Sequence, residues 1–223
     1  MKLKTHQSPV THNGRTYQLL TLSLANIYAR QFATASLIFA DGCGFLTLAG
    51  LFTYLAFQKD TLIYLPTQNN CNKTLDEIWE LGIGLDVVLC HHSAQMRPKT
   101  IRTLRKRLKN KRPVTVEVDE SRYENLAFCE RFRNRDNKDV LRVKEDGNLL
   151  VLEGSSLVFQ HLAKSCLDLR FREDHPYESH HHLSTYMTWK NKFTNDSQLI
   201  HFDAQAWEQW FENQQELGQD YTS

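Results

Sequence analysis

The stretch Leu85-Asp-Val-Val-Leu-Cys-His-His-Ser93 decides the fold. Five residues of buried-strand character run directly into two histidines and a serine, and a basic segment, residues 97–112, follows at once. Pro98 opens that segment in the position proline favours at a helix start, and Ile101, Leu104 and Leu108 then fall on one helical stripe. Polar groups therefore collect where a strand ends, which is where ligands most often sit in an open α/β sheet.

Working outward, residues 61–65 form a short apolar run stopped by Pro66, and Thr74-Leu-Asp-Glu77 carries the capping-box pattern of a helix that ends at Gly82. On the other side, Pro113 closes the basic helix, and Val114, Val116 and Val118 alternate with Thr115 and Glu117 as in a half-covered strand. Strands centred near Ile63, Val88 and Val116, with helices between them, predict an α/β fold with an N-terminal parallel or mixed sheet.

Nearer the N-terminus, residues 17–24 suit a strand and residues 25–40 are ambiguous. Gly42-Cys-Gly44 marks a turn or tight approach, and Leu48, Leu51, Phe52 and Leu55 have the spacing of a buried helix over 45–57. The run 32–57 is apolar enough to raise a membrane span, but Asp41 and the glycines break it, and no span is expected.

After Asp119 the texture changes. Residues 120–139 are dense in charge, with Tyr123 and Phe128 among their apolar anchors. Residues 140–143 and 149–152 flank Asp146-Gly147, the signal of a hairpin with a type I′ turn. A helix follows with Val158, Leu162, Cys166 and Leu169 on one face, then strand-like runs at 183–189 and 198–202 and a terminal helix carrying Ala206, Trp210 and Leu217. The expected division is an α/β domain over 1–120 and a smaller α+β domain over 121–223.

Composition limits the function classes. Lys and Arg (27) nearly cancel Asp and Glu (26), so the formal charge of +1 argues against nucleic-acid binding through overall charge. Five cysteines, odd in number and never in a CxxC pair, predict free thiols in a reducing compartment. No apolar h-region follows the first basic residues, so the expected location is cytoplasmic.

Three features could carry chemistry. Cys43, before an apolar helix, could be a nucleophile with His91 or His92 as base. The run Asp41-Gly-Cys-Gly-Phe45 resembles the nucleophile segment of papain-like bacterial cell-wall hydrolases, whose motif is Asp-Cys-Ser-Gly; here a glycine separates Asp41 from Cys43 and no serine follows. The second feature is histidine clustering at His91-His92, His175 and His180-His-His182, with His175, His180 and His182 the candidate metal ligands. Neither HExxH nor a paired CxxC is present, and alternation along a strand turns His91 and His92 to opposite faces. No cofactor is expected. The third is the basic helix, where Arg102, Arg105, Lys106 and Lys109 could meet phosphates or an acidic partner surface, the bland alternative being a solvated outer face.

Gly147-Asn-Leu-Leu-Val-Leu-Glu-Gly-Ser155, the following helix, and His180-His-His-Leu183 leading to Asn195-Asp-Ser-Gln-Leu-Ile200 resemble bacterial polymorphic-toxin immunity proteins of the small α+β kind, over residues 140–203. The resemblance implies a non-enzymatic protein that binds another protein in bacterial conflict or defence. Trp189, Trp207 and Trp210 would suit such an interface if exposed. The alternatives are a Cys–His or metal-dependent hydrolase and local nucleic-acid binding through 97–112.

Overall fold

The computed structural model describes residues 1–33, 35–72, 75, 81–96, 99–101, 103, 111–125, 141–170, 180–182 and 198–202. The chain begins with two strands, β1 (Lys2–His12) and β2 (Arg15–Thr21), joined by Asn13-Gly14. Both turn residues have positive φ, 49° and 74°, as a type I′ hairpin turn requires. A second hairpin, β3 (Ile27–Phe32) and β4 (Ala35–Ala40), resolves the ambiguous residues 25–40 and leads into α1 (Gly42–Phe57). Asp41 caps that helix: its carboxylate accepts from the Gly44 N–H at 2.6 Å and from Asn26 at 2.8 Å.

β5 (Thr61–Leu65), β6 (Asp86–His91) and β7 (Arg112–Glu117) follow, then the hairpin β8 (Arg142–Asp146) and β9 (Leu149–Gly154), the helix α2 (Ser156–Arg170), and β10 (His180–His182) and β11 (Gln198–His201). Among the described residues the fold is α/β: a seven-stranded mixed sheet ordered β7-β1-β2-β5-β6-β9-β8, the two packed helices α1 and α2, and a smaller sheet ordered β10-β11-β4-β3.

Alternation sorts the side chains into layers. On the large sheet, Leu20, Ile63, Val87, Leu89, Leu150 and Leu152 face α1 and α2. The other side of the helices meets Ile27, Ala29, Ile38, Ala40 and Leu199 of the small sheet. Clamped between two sheets and α2, α1 is apolar nearly all round, as a fully enclosed helix must be. Phe52 of α1 and Phe159 of α2 stack with centroids 5.9 Å apart. The outer face of the large sheet carries Tyr17, Leu19, Leu62, Tyr64, Val88, Cys90 and Val151, covered by Ala94, Met96 and Ile101. The strands near Ile63 and Val88 are thus buried on both faces, which explains their unbroken apolar runs.

The strand-helix alternation is not parallel throughout. β5 and β6 are antiparallel, with Ile63 opposite Leu89, and β7 lies on the far edge beside β1. The physical cause lies in the connection from β5 to β6. Leu75 is buried against Leu37, Phe39, Ile200 and Phe202 on the small sheet, with Leu81 packed on the same cluster. Residues 82–85 then line the open edge of β3, with Gln31 donating to the Ile83 carbonyl and Leu85 to that of Ala29. The chain re-enters the large sheet from the end opposite to the one a crossover helix would use.

The division expected at residue 120 runs through one sheet and one core. β9 pairs in parallel with β6, α2 packs on α1, β11 pairs with β4, and Ser36 on β4 donates to the Glu145 carboxylate on β8. The 8/9 hairpin has Gly147 and Asn148 as its central residues, and only Gly147 has positive φ (60°), which fits a type II′ turn rather than the expected I′. Arg112 belongs to β7, not to the basic helix. The expected strand at 183–189 and terminal helix at 206–217 lie outside the described residues, as does all of 126–139. Among the described residues no helix is long and apolar enough to cross a membrane.

Candidate functional site

β6 and β9 run parallel and end together, with His91 opposite Gly154. α2 starts directly after β9, its first turn held by Ser155, whose hydroxyl accepts from Val158 N at 3.2 Å and whose carbonyl accepts from Phe159 N at 3.0 Å. This is the carboxyl end of a parallel strand pair beside a helix N-terminus, the usual location for function in α/β sheets.

His91 is 3% exposed and closes β6. Its Nδ1 accepts from the Ser93 backbone N–H at 3.2 Å and lies 2.8 Å from Ser93 Oγ. Because a backbone N–H can only donate, Nδ1 is unprotonated and the neutral ring carries its proton on Nε2. Burial, and then the charges of His92 and Lys59 against an opposing Asp60, push its pKa down to about 4. The ring is therefore neutral at pH 7 and is committed to holding a tight turn, residues 92–94, that begins one residue later.

That turn corrects the expected separation of the two histidines. The strand ends at His91, so alternation stops there, and the His91 and His92 rings meet edge to face with centroids 4.5 Å apart. His92 and Ser93 are exposed while Ala94 and Met96 return to the core. Gln95, between them, takes the left-handed conformation at φ 49° and ψ 40°, which a non-glycine side chain adopts at some cost.

Beneath this turn is a buried ionic group that periodicity and motif searching miss. Glu153 is 0% exposed, and its Oε2 lies 2.5 Å from Lys144 Nζ, which is also 3.5 Å from the Met96 carbonyl. The second carboxylate oxygen, Oε1, is buried with no hydrogen-bond partner among the described residues. Cys90 stands opposite Glu153 in the sheet. Burial, and then the Glu153 charge, push the Cys90 thiol up to about 12 against the opposing effect of Lys144. It is thus a protonated core thiol, without nucleophilic character at pH 7. The hairpin register was the available signal: Lys144 stands opposite Val151, so Glu153, two residues on, is its diagonal neighbour on the same face.

Cys43 does not join this group. It is exposed at the start of α1, where a side chain at the neighbouring Gly42 would lie 3.2 Å from the carbonyl oxygen of Arg170, the last residue of α2. His91 is level with Gly154, just before the first residue of α2, and α2 has 15 residues. At 1.5 Å per residue the two ends are about 20 Å apart. The charges beyond the far end of α1, Lys59 and Asp60, are the ones His91 feels. The structure therefore places Cys43 and His91 at opposite ends of an antiparallel helix pair and does not bring them together.

Of the other sequence candidates, Arg102, Arg105, Lys106, Lys109 and His175 lie outside the described residues. Near the first four, Lys99 and Thr103 are exposed and Ile101 is buried, as an amphipathic helix requires. His180 and His182 lie on β10, opposite Ile200 and Gln198. Among the described residues no group of three or more His, Cys, Asp or Glu could hold a metal ion.

One surface feature was not singled out in the sequence. Phe57, the last residue of α1, is 47% exposed, and the Arg122 guanidinium lies over its ring 4.3 Å from the centroid. Compared with known proteins, the chain matches no family model, no curated protein and no solved structure.

Proposed function

We propose that this chain is a cytoplasmic protein that works by binding another protein, as an immunity or accessory component in bacterial conflict or defence, and not by catalysis. The observation that carries the reading is the exposed Phe57 ring with the Arg122 guanidinium over it. Aromatic and arginine side chains are the residues most enriched at the energetic centres of interfaces. The chain that leaves Phe57 continues through Lys59 and Asp60 to the surroundings of His91, beside the exposed His92 and Ser93. Together they give a mixed apolar, cationic and hydrogen-bonding surface.

The defence part of the proposal rests on the resemblance of residues 140–203 to immunity proteins, with which the order of hairpin, helix and returning strand agrees. A hydrolase pairing Cys43 with His91 is not proposed, because about 20 Å separates the ends of the helix pair that carry them.

The test is affinity co-purification from the native host with the products of neighbouring genes, using the wild type and Phe57→Glu/Arg122→Glu. The wild type should retain one stoichiometric partner. The double variant should melt at the same temperature and bind that partner at least about tenfold more weakly, a loss of about 1.4 kcal/mol. Equal retention by both proteins would move the interface elsewhere, and no partner above background would overturn the binding reading.

A further inference from the structure

We propose that residues 92–96 are an acid-released strap that covers the outer face of the large sheet at neutral pH and lifts from it when His91, at the end of β6, takes up a proton. This goes beyond the binding reading and holds whether or not a partner is found.

The strap is fastened at two points. At its start, His91 Nδ1 accepts from both the backbone and the hydroxyl of Ser93. At its far end, Lys144 reaches the Met96 carbonyl while paired with Glu153. Between them Ala94 and Met96 plug the apolar face that contains Tyr17, Leu62, Tyr64, Val88 and Cys90.

The first fastening is sensitive to acid for a structural reason. A protonated imidazole has no acceptor, so a proton on Nδ1 removes the site that both Ser93 groups use. The new charge then faces the His92 ring at 4.5 Å and the Lys59 ammonium, with Asp60 the opposing charge nearby. The ring is buried, so the ion also loses its hydration. Strap opening relieves much of this, because it carries the His92 ring and Ser93 away from the imidazolium and lets water reach it. The left-handed Gln95 leans the same way, since release lets it relax. At the far end the charged groups are Lys144 and Glu153, with Cys90 alongside. Their ion pair does not involve His91 and stays in place, while the longer contact from Lys144 to the Met96 carbonyl, 3.5 Å, opens with the strap and uncovers Cys90.

The chain carries its own reporters. Cys90 lies beneath the strap, Cys166 lies in the core between the helices, and both are fully buried. Cys43 and Cys71 are exposed. Thiol exchange with 4,4′-dithiodipyridine, which reacts in acid, is followed for each cysteine by peptide mass from about pH 7.5 down to about pH 4.5. Each rate is divided by that of the same cysteine in urea-unfolded protein. Cys90 should become more accessible as the pH falls, on the order of fiftyfold at about pH 4.5, while Cys166 stays protected. His91→Asn, whose amide oxygen can take the place of Nδ1 as an acceptor but cannot be protonated, should keep Cys90 protected throughout.

Cys90 and Cys166 rising together would mean global unfolding and would overturn the strap, as would no rise at Cys90. A pH response unchanged in His91→Asn would overturn the role of His91. If that variant does not fold, the contrast between Cys90 and Cys166 in the wild type decides by itself.

Discussion

Replacing His161 by Gln should flatten the fall in stability on acidification. His161 lies on the buried side of α2, 6% exposed, and burial, followed by the nearby Lys164 charge, pushes its pKa from 6.5 down to about 4. Above the unfolded value neither state is protonated there, and the group has no effect on the pH dependence. Between 6.5 and about 4 the unfolded chain takes up a proton that the folded chain refuses, so stability present at neutral pH is lost as the pH falls. At about pH 5 the shift amounts to roughly 2 kcal/mol, and over the whole window to about 3 kcal/mol. His91 is buried and shifted in the same direction, so the pair together should remove about 4 kcal/mol by pH 5. That is a large part of a typical domain stability of about 5–15 kcal/mol. Urea unfolding at about pH 7.5 and about pH 5 gives the loss for each protein. The wild type should lose about 2 kcal/mol more than His161→Gln over this interval. Because the comparison is between slopes, any change in absolute stability caused by the substitution drops out, and so does the common contribution of the carboxylates. Equal losses in the two proteins would refute the reasoning for His161.

Two further substitutions test the buried groups around the candidate site. Lys144→Met leaves the Glu153 carboxylate enclosed without its cation and should cost about 3–5 kcal/mol in urea unfolding, with Glu153→Gln in the same chain recovering part of it; a loss below about 1 kcal/mol would mean that the carboxylate finds another partner. Val88→Asp places a charge at a position 0% exposed, among Leu62, Tyr64 and Val151, and should make the protein insoluble, whereas normal solubility would mean that β6 is misplaced.

What was legible in the sequence depended on whether a pattern repeats along one element. The apolar runs at 62–65 and 87–90, the Asp41-Gly42 break before α1, and the hairpin ahead of α2 are all local signals, and each element lies at those residues, although α1 takes in Gly42-Cys-Gly44, which the sequence reading makes a turn or tight approach. The sequence reading places no strand at β1, although Asn13-Gly14 is as strong a short hairpin signal as Asp146-Gly147. Its outward residues are Lys2, Lys4 and His6, and part of its alternating face is open to solvent, so little hydrophobic contrast marks it. Strand direction was not legible at all. Whether β6 runs with or against β5 is set by which sheet buries Leu75, and no property of Leu75 itself distinguishes the two sheets.

The candidate site was half legible for the same reason. Strand-end histidines can be found from sequence because the end of an apolar run is a local feature. Their chemistry cannot, because it depends on where the strand yields to a turn. One more residue of strand would have turned His92 to the opposite face and left Nδ1 of His91 without the Ser93 N–H. The turn instead makes the ring an acceptor within the backbone, and its surroundings lower its basicity. A base at a reaction centre needs a free lone pair and a pKa near the working pH. His91 has neither: its lone pair is engaged and its pKa lies well below neutrality. The same two facts make it a good fastening, strong while neutral and lost on protonation. His91 is thus better suited to holding this turn, with the exposed His92 and Ser93 presented on it, than to acting as a base.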